Sequence, residues 1–196
     1  MWIKICGMTT SEAVDAALHA NVDAIGFVFA ESKRQLTPQK AAQLAAPARG
    51  KLKCVAVTRH PDQRTVNEIL SVFRPDTFQT DAEDFSELNL PATLERLPVV
   101  RSGGAEPKPL PSRLLFEGPV SGTGKPADWA AAQALARCSQ LILAGGLSAL
   151  NVATAIREVQ PFGVDVSSGV ESSPGIKSPD LIASFVESVR AKENAS

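Results

Sequence analysis

"SQLILAGGLSALNVATAIREVQPFGVDVSSG", residues 139–169, decides how the chain is read. It opens on an apolar run, 139–146, that ends in two glycines. A segment with helical spacing, 148–159, follows, and a second apolar run, 162–169, ends in two serines and a glycine. Runs that are apolar on both faces suit strands of a parallel sheet covered by helices, because neither face then meets water. The stretch therefore reads as strand, helix, strand, with both strands leaving into Gly-rich, hydroxyl-bearing turns.

The same rhythm extends back to the start of the chain. "WIKIC" (2–6), "DAIGFVFA" (23–30), "KLKCVAVT" (51–58), "PDTFQT" (75–80), "LPVVRS" (97–102) and "RLLFEG" (113–118) read as six further strands. Helical segments follow at 11–20, 37–46, 61–73 and 126–137, with a weak acidic one over 82–88; the last helix falls at 178–190. A Ser or Thr cap opens the first, and Pro38 occupies the first turn of the second. The segment after the fifth strand is rich in Gly and Pro with no helical period, so a helix there is missing or shortened. Eight strands, seven followed by some helical signal, predict a closed (β/α)8 TIM barrel, compact and spanning 1–196 as one domain. An open doubly wound sheet is the alternative.

Composition narrows the function classes. The 196 residues are 44% hydrophobic and 21% charged, with a net charge of -1, as in an ordinary globular domain with no electrostatic reason to seek nucleic acid or a membrane surface. Cys6, Cys54 and Cys138 are odd in number and widely spaced, which argues against a disulfide framework and a zinc site. Residues 1–20 lack the apolar core of a signal peptide, and no apolar run is long enough to span a bilayer. A reducing cytoplasm is the expected location.

In a barrel, chemistry belongs at the C-terminal ends of the strands. The first strand exits on Cys6, a thiol that could serve as nucleophile or base, or be a small buried hydrophobe. Cys54, inside the third strand, and Cys138, before the seventh, are read as the latter. Arg34, after the second strand, and Arg101, at the end of the fifth, could clamp a carboxylate or be solvated. The sixth strand exits on Glu117, a possible general acid, into a loop carrying Gly118, Gly122 and Gly124. Asp128 reads as a helix-start residue. The seventh and eighth strands exit through Gly145–Gly146 and Ser167–Ser168–Gly169, and a short helix after "SSGV" would add its positive end. Together these form a nest of backbone N–H groups suited to a phosphate, although tight turns alone would also use glycine here. Asp165 would repel phosphate, so a ribose hydroxyl or a neighbouring side chain is its expected partner. His19 and His60 read as structural or solvated, so triads built on histidine are unsupported.

Taken together, "KICGMT", "DAIGFVFAESKRQLTPQKA", "SGTGKPADW", "LILAGGLSALNVATAI" and "GVDVSSGVESSPGIKSPDLIASFV" resemble the phosphoribosylanthranilate isomerase family of tryptophan biosynthesis over nearly the whole chain. The resemblance implies an Amadori rearrangement of a phosphosugar substrate by general acid–base catalysis, with no cofactor and no metal. By the same resemblance, Cys6 is the base that takes the proton from ribose C2. Glu117 stands where the family has its aspartate acid, Arg34 faces the anthranilate carboxylate, and Asp165 matches a pocket aspartate. The phosphate lies against Gly145, Gly146, Ser167, Ser168 and Gly169. Two features depart from the family pattern: Glu117 replaces aspartate, and "FQTDAED" replaces a Gln-Leu-His-Gly run at the fourth strand, adding Asp81 near the mouth. Two rivals are the histidine-pathway aminoaldose isomerase, which has aspartate on the first strand and a second phosphate site, and a barrel that only binds. Monomer and homodimer are both open.

Overall fold

In a computed structural model, which describes residues 1–119 and 127–193, eight parallel strands close into a barrel. They are β1 (Trp2–Cys6), β2 (Ala24–Val28), β3 (Lys53–Val57), β4 (Thr77–Asp81), β5 (Glu95–Arg101), β6 (Arg113–Glu117), β7 (Gln140–Leu143) and β8 (Gly163–Val166). Each pairs with the next in sequence, and β8 returns to β1 with Asp165 opposite Lys4.

The helices are α1 (Ser11–His19), α2 (Pro38–Ala45), α3 (Gln63–Glu68), α4 (Trp129–Ala136), α5 (Val152–Val159) and α6 (Pro179–Glu193). α3 runs on into a π-helical turn, Ile69–Phe73. Local chemistry starts four of them: the side chains of Thr10, Thr37, Asp62 and Asp128 each accept a hydrogen bond from a first-turn N–H. This satisfies donors that have no intrahelical partner, and it gives Asp128 the helix-start role its sequence position suggested.

Three connections are not α-helical. The acidic segment after β4 forms only a 3-10 turn, Ala82–Ser86, although Ala82, Phe85 and Leu88 pack against the core. Residues 102–112 contain no helix. Where a short helix was expected after the eighth strand, a 3-10 turn (Ser168–Val170) leads into an antiparallel ribbon of β9 (Glu171–Ser173) and β10 (Ile176–Lys177). Pro174 and Gly175 lie at its tip, and both oppose continued helix.

The period of two along each strand divides the core. One set of alternating residues, including Ile3, Ile5, Ile25, Phe27, Cys54, Ala56, Leu114 and Phe116, packs against the helices. The other set fills the barrel, where Leu97, Val99, Leu115, Ile142 and Ala144 form a small inner cluster capped by Trp2 and Phe162. Cys54 is therefore a helix-facing core residue, whereas Cys138 is exposed rather than buried. Cys6 has the opposite parity to Ile5 and points inward. No helix among the described residues is long and apolar enough to cross a membrane.

Candidate active site

The strand exits surround a cavity of about 200 Å³ lined by Cys6, Arg34, Glu117, Asp165 and the 144–147 and 167–168 turns. Cys6 and Ser168, 162 residues apart in sequence, thus face one space.

Cys6 is 8% exposed at the end of β1. On the same inward face, Lys4 is fully buried and donates from Nζ to Asp165 Oδ1 at 2.8 Å. The β1–β8 register sets this pair opposite one another. Burial works against the charge on Lys4, but Asp165 and the adjacent Cys6 outweigh it and leave the amine's pKa raised. Burial also raises the Cys6 thiol; Lys4 and Lys177 pull it down, Asp165 pushes it up, and the net shift is upward. The arrangement is a thiol beside a fixed ammonium in a nearly water-free wall.

The β7 and β8 exits make the Gly- and Ser-rich side of the cavity. Gly145 and Gly146 adopt φ of +87° and +67°, a backbone that L side chains rarely take. Asn151 fixes the turn, accepting from Ser148 N and donating to Gly146 O, both at 2.8 Å. Gly145, Gly146, Ser167 and Ser168 line the cavity. Gly169 does not; it sits behind them, where a Cβ would lie 1.9 Å from Leu147 O. Its lack of a side chain is what lets the two turns meet.

Arg34 lines the cavity too, but it is already paired. Its Nε and Nη2 donate to Glu171 Oε1 and Oε2 at 2.6 and 2.9 Å. Lys177 Nζ donates to Glu171 Oε1 at 2.7 Å and to Ser167 O at 3.0 Å. Burial opposes the charge on Glu171, yet the bonds from Arg34 and Lys177 pull its pKa down to about 2. Burial pushes Lys177 down despite the carboxylate beside it. The β9–β10 ribbon thus holds Arg34 from behind, and Nη1 remains outside the bidentate pair.

Glu117 and Arg101 are register partners on β6 and β5. Arg101 Nη2 lies 3.0 Å from Glu117 Oε1, and its Nη1 bonds Asp81 Oδ1. Arg101 is thus neither solvated nor a free clamp. Its own pKa is lowered by burial, with Glu117 acting in the opposite direction. His60 is half exposed, with Nε2 at 3.2 Å from Asp81 Oδ2 and Nδ1 at 2.8 Å from Asp84 Oδ1. His60, Asp81 and Glu83 are the one group among the described residues with possible metal-donor atoms within 4.8 Å of one another. Arg101 holds one Asp81 oxygen and Arg59 lies 3.9 Å from the other, so the acidic end is already balanced by cations. Gly122 and Gly124 of the loop after β6 lie outside the described residues.

Lys4, Glu171 and Lys177 are the site residues that sequence reasoning missed. Lys4 had a legible signal: it is a charge inside an apolar strand with the same parity as Cys6. Glu171 and Lys177 had none, because the ribbon that carries them replaced an expected helix.

A family model described as N-(5′-phosphoribosyl)anthranilate (PRA) isomerase matches residues 3–188. The chain is 38% identical over 190 residues to the N-(5′-phosphoribosyl)anthranilate isomerase of Streptococcus pneumoniae (strain Hungary19A-6), covering 96% of this chain and 95% of that protein. Its fold matches phosphoribosyl anthranilate isomerase from Thermus thermophilus with a TM-score of 0.84 at 26% identity, over 98% of this chain and 100% of the other. A second structure, at TM-score 0.78 and 26% identity over 97% and 99% of the two chains, is a phosphoribosyl anthranilate isomerase in complex with reduced 1-(o-carboxyphenylamino)-1-deoxyribulose 5-phosphate. With a family model that spans almost its entire length and a barrel of the same form, this chain belongs to the N-(5′-phosphoribosyl)anthranilate isomerase family.

Proposed function

We propose that this barrel converts N-(5′-phosphoribosyl)anthranilate to 1-(2-carboxyphenylamino)-1-deoxyribulose 5-phosphate, with Glu117 as general acid and Cys6 as general base. Glu117 gives its proton to the ring oxygen as the C1–O bond breaks, and the nitrogen lone pair forms the C1=N bond. The Cys6 thiolate then removes the C2 proton. The electrons of that bond form C1=C2 and the nitrogen recovers its pair. Gain of a proton at C1 and loss of the C2 hydroxyl proton give the ketone. Proton transfers of this kind contribute about 10² to 10⁴ each in rate.

The observation that carries the reading is that a thiol and a carboxyl, from β1 and β6, line one cavity with Gly145, Gly146, Ser167 and Ser168. The 5′-phosphate is assigned to the backbone of Gly145, Gly146, Ser167 and Ser168, with Gly169 keeping the turns together. The anthranilate carboxylate is assigned to Arg34 through Nη1, since Glu171 occupies the other edge. Asp165 is assigned to a ribose hydroxyl, with its other task the pairing of Lys4. The thiol's raised pKa means that its basic form grows as pH rises. The reaction needs no redox cofactor, and a cytoplasmic location suits a biosynthetic isomerase.

The test is the decay of anthranilate fluorescence from freshly made phosphoribosylanthranilate. The wild-type protein is expected to accelerate decay well above the spontaneous rate. Cys6→Ser is expected to keep the fold and lose most turnover. Equal rates for the two proteins would overturn the role of Cys6; no acceleration by wild type would leave a barrel that binds phosphosugars without turning them over.

A further inference from the structure

We infer that Asp81 is a positioning residue: through Arg101, it sets where the Glu117 carboxyl stands in the mouth. The inference rests on Glu117 being the acid. Asp81 ends β4 with 1% exposure and is absent from the cavity wall, whereas Arg101 and Glu117 line it. Asp81 therefore has no direct reach to a substrate in the cavity. One planar guanidinium joins the two carboxylates, with Nη1 on Asp81 Oδ1 and Nη2 at 3.0 Å from Glu117 Oε1. Because the fork is rigid, fixing one side of it fixes the other.

Asp81 has polar neighbours beyond Arg101. His60 Nε2 stands 3.2 Å from its Oδ2 with no hydrogen bond between them, and His60 is held by Asp84, which lies 2.8 Å from Nδ1 and accepts the His60 backbone N–H at 3.1 Å. The Thr80 hydroxyl donates to Asp84 at 2.5 Å. These contacts run from the β3 and β4 exits, across the strand order, to β6. A glutamate has one more rotatable bond than an aspartate, and an anchored guanidinium is a direct way to hold its carboxyl in one place.

The test compares Asp81→Asn, Glu117→Gln and the double variant in the fluorescence assay, with kcat and KM measured separately. Asp81→Asn keeps the shape and removes the charge that anchors Arg101. It should lower kcat on the order of tenfold to a hundredfold, as expected for displacement of a catalytic group by about 1 Å, with KM unchanged within about twofold. In the Glu117→Gln background the same change should have no further effect on kcat, because the acid it positions is gone. If Asp81→Asn does not fold, Arg101→Lys, which cannot bridge as a fork, should show the same kcat loss. Wild-type kcat in Asp81→Asn, or losses that simply multiply in the double variant, would overturn the positioning role while leaving Glu117 as the acid. Wild-type turnover by Glu117→Gln would overturn the acid assignment and the positioning role with it.

Discussion

Replacing Gly169 by alanine tests the anion site at the point where the structure is least forgiving. The added Cβ would lie 1.9 Å from Leu147 O, 3.0 Å from Leu147 C and 3.1 Å from Ser148 Cα. All three are backbone atoms, so no side-chain rotation relieves the clash. Reaching even 3.0 Å from Leu147 O, the shortest separation that real Cβ atoms show, requires the β7 and β8 exit turns to part by at least 1.1 Å. Forced separation of packed groups costs about 1–3 kcal/mol, and a 1 Å error in a positioned group costs about a hundredfold, or about 2.7 kcal/mol. Thermal unfolding should therefore fall by about 2–4 °C for each kcal/mol lost in a chain of this size. KM for phosphoribosylanthranilate and the inhibition constant of inorganic phosphate should both rise about tenfold to a hundredfold. The loss should appear in KM more than in kcat, because Cys6 and Glu117 stand on β1 and β6. A destabilised variant with unchanged phosphate inhibition would show that the phosphate binds elsewhere. A variant with wild-type stability and inhibition would refute the close approach itself.

Other outcomes follow from the charges around the thiol and the ribbon. The rate through Cys6 should rise with pH, since only the thiolate accepts a proton and burial has raised the thiol's pKa; a flat profile of kcat/KM from neutral to alkaline pH would count against the thiol as base. Lys4→Met removes the cation that favours the thiolate, so the rising limb should move to higher pH. It also leaves Asp165 buried without its partner, which should cost about 3–5 kcal/mol in denaturant unfolding. Glu171 titrates near 2 in the folded protein against about 4.3 when unfolded. Its contribution is therefore complete above the unfolded value and is lost as pH falls from about 4.3 toward 2. Glu171→Gln should flatten that acid limb of stability. It should also destabilise the protein at neutral pH by about 3–5 kcal/mol, because the buried Lys177 loses its counter-charge; an unchanged acid limb would show that other carboxylates govern it.

The barrel was legible because it is written in local patterns. Eight apolar runs, each ending in or followed by Gly, hydroxyl or charged residues, carry the strand period and the turn chemistry on their own. Alternation along "WIKIC" already separates Ile3 and Ile5 from Lys4 and Cys6, so the inward direction of the thiol follows from its position in the strand. The helix starts at Thr10, Thr37 and Asp128 are equally local, each needing only an acceptor two or three residues before a free N–H. Pairings between exits were not legible. Arg34 and Glu171 are separated by 137 residues and Lys4 and Asp165 by 161. Arg101 was open to a clamp or a solvated role, and its actual place between Asp81 and Glu117 depends on the register of β4, β5 and β6. After β8, the local signal pointed to a short helix, while the chain formed a ribbon that supplies Glu171 and Lys177. Sequence by itself determined which residues leave each strand and toward which side, because that depends on a two-residue period. Only the closed barrel decided which of them pair, because closure and register bring distant charges within hydrogen-bond reach, and once buried there each charge must find a partner.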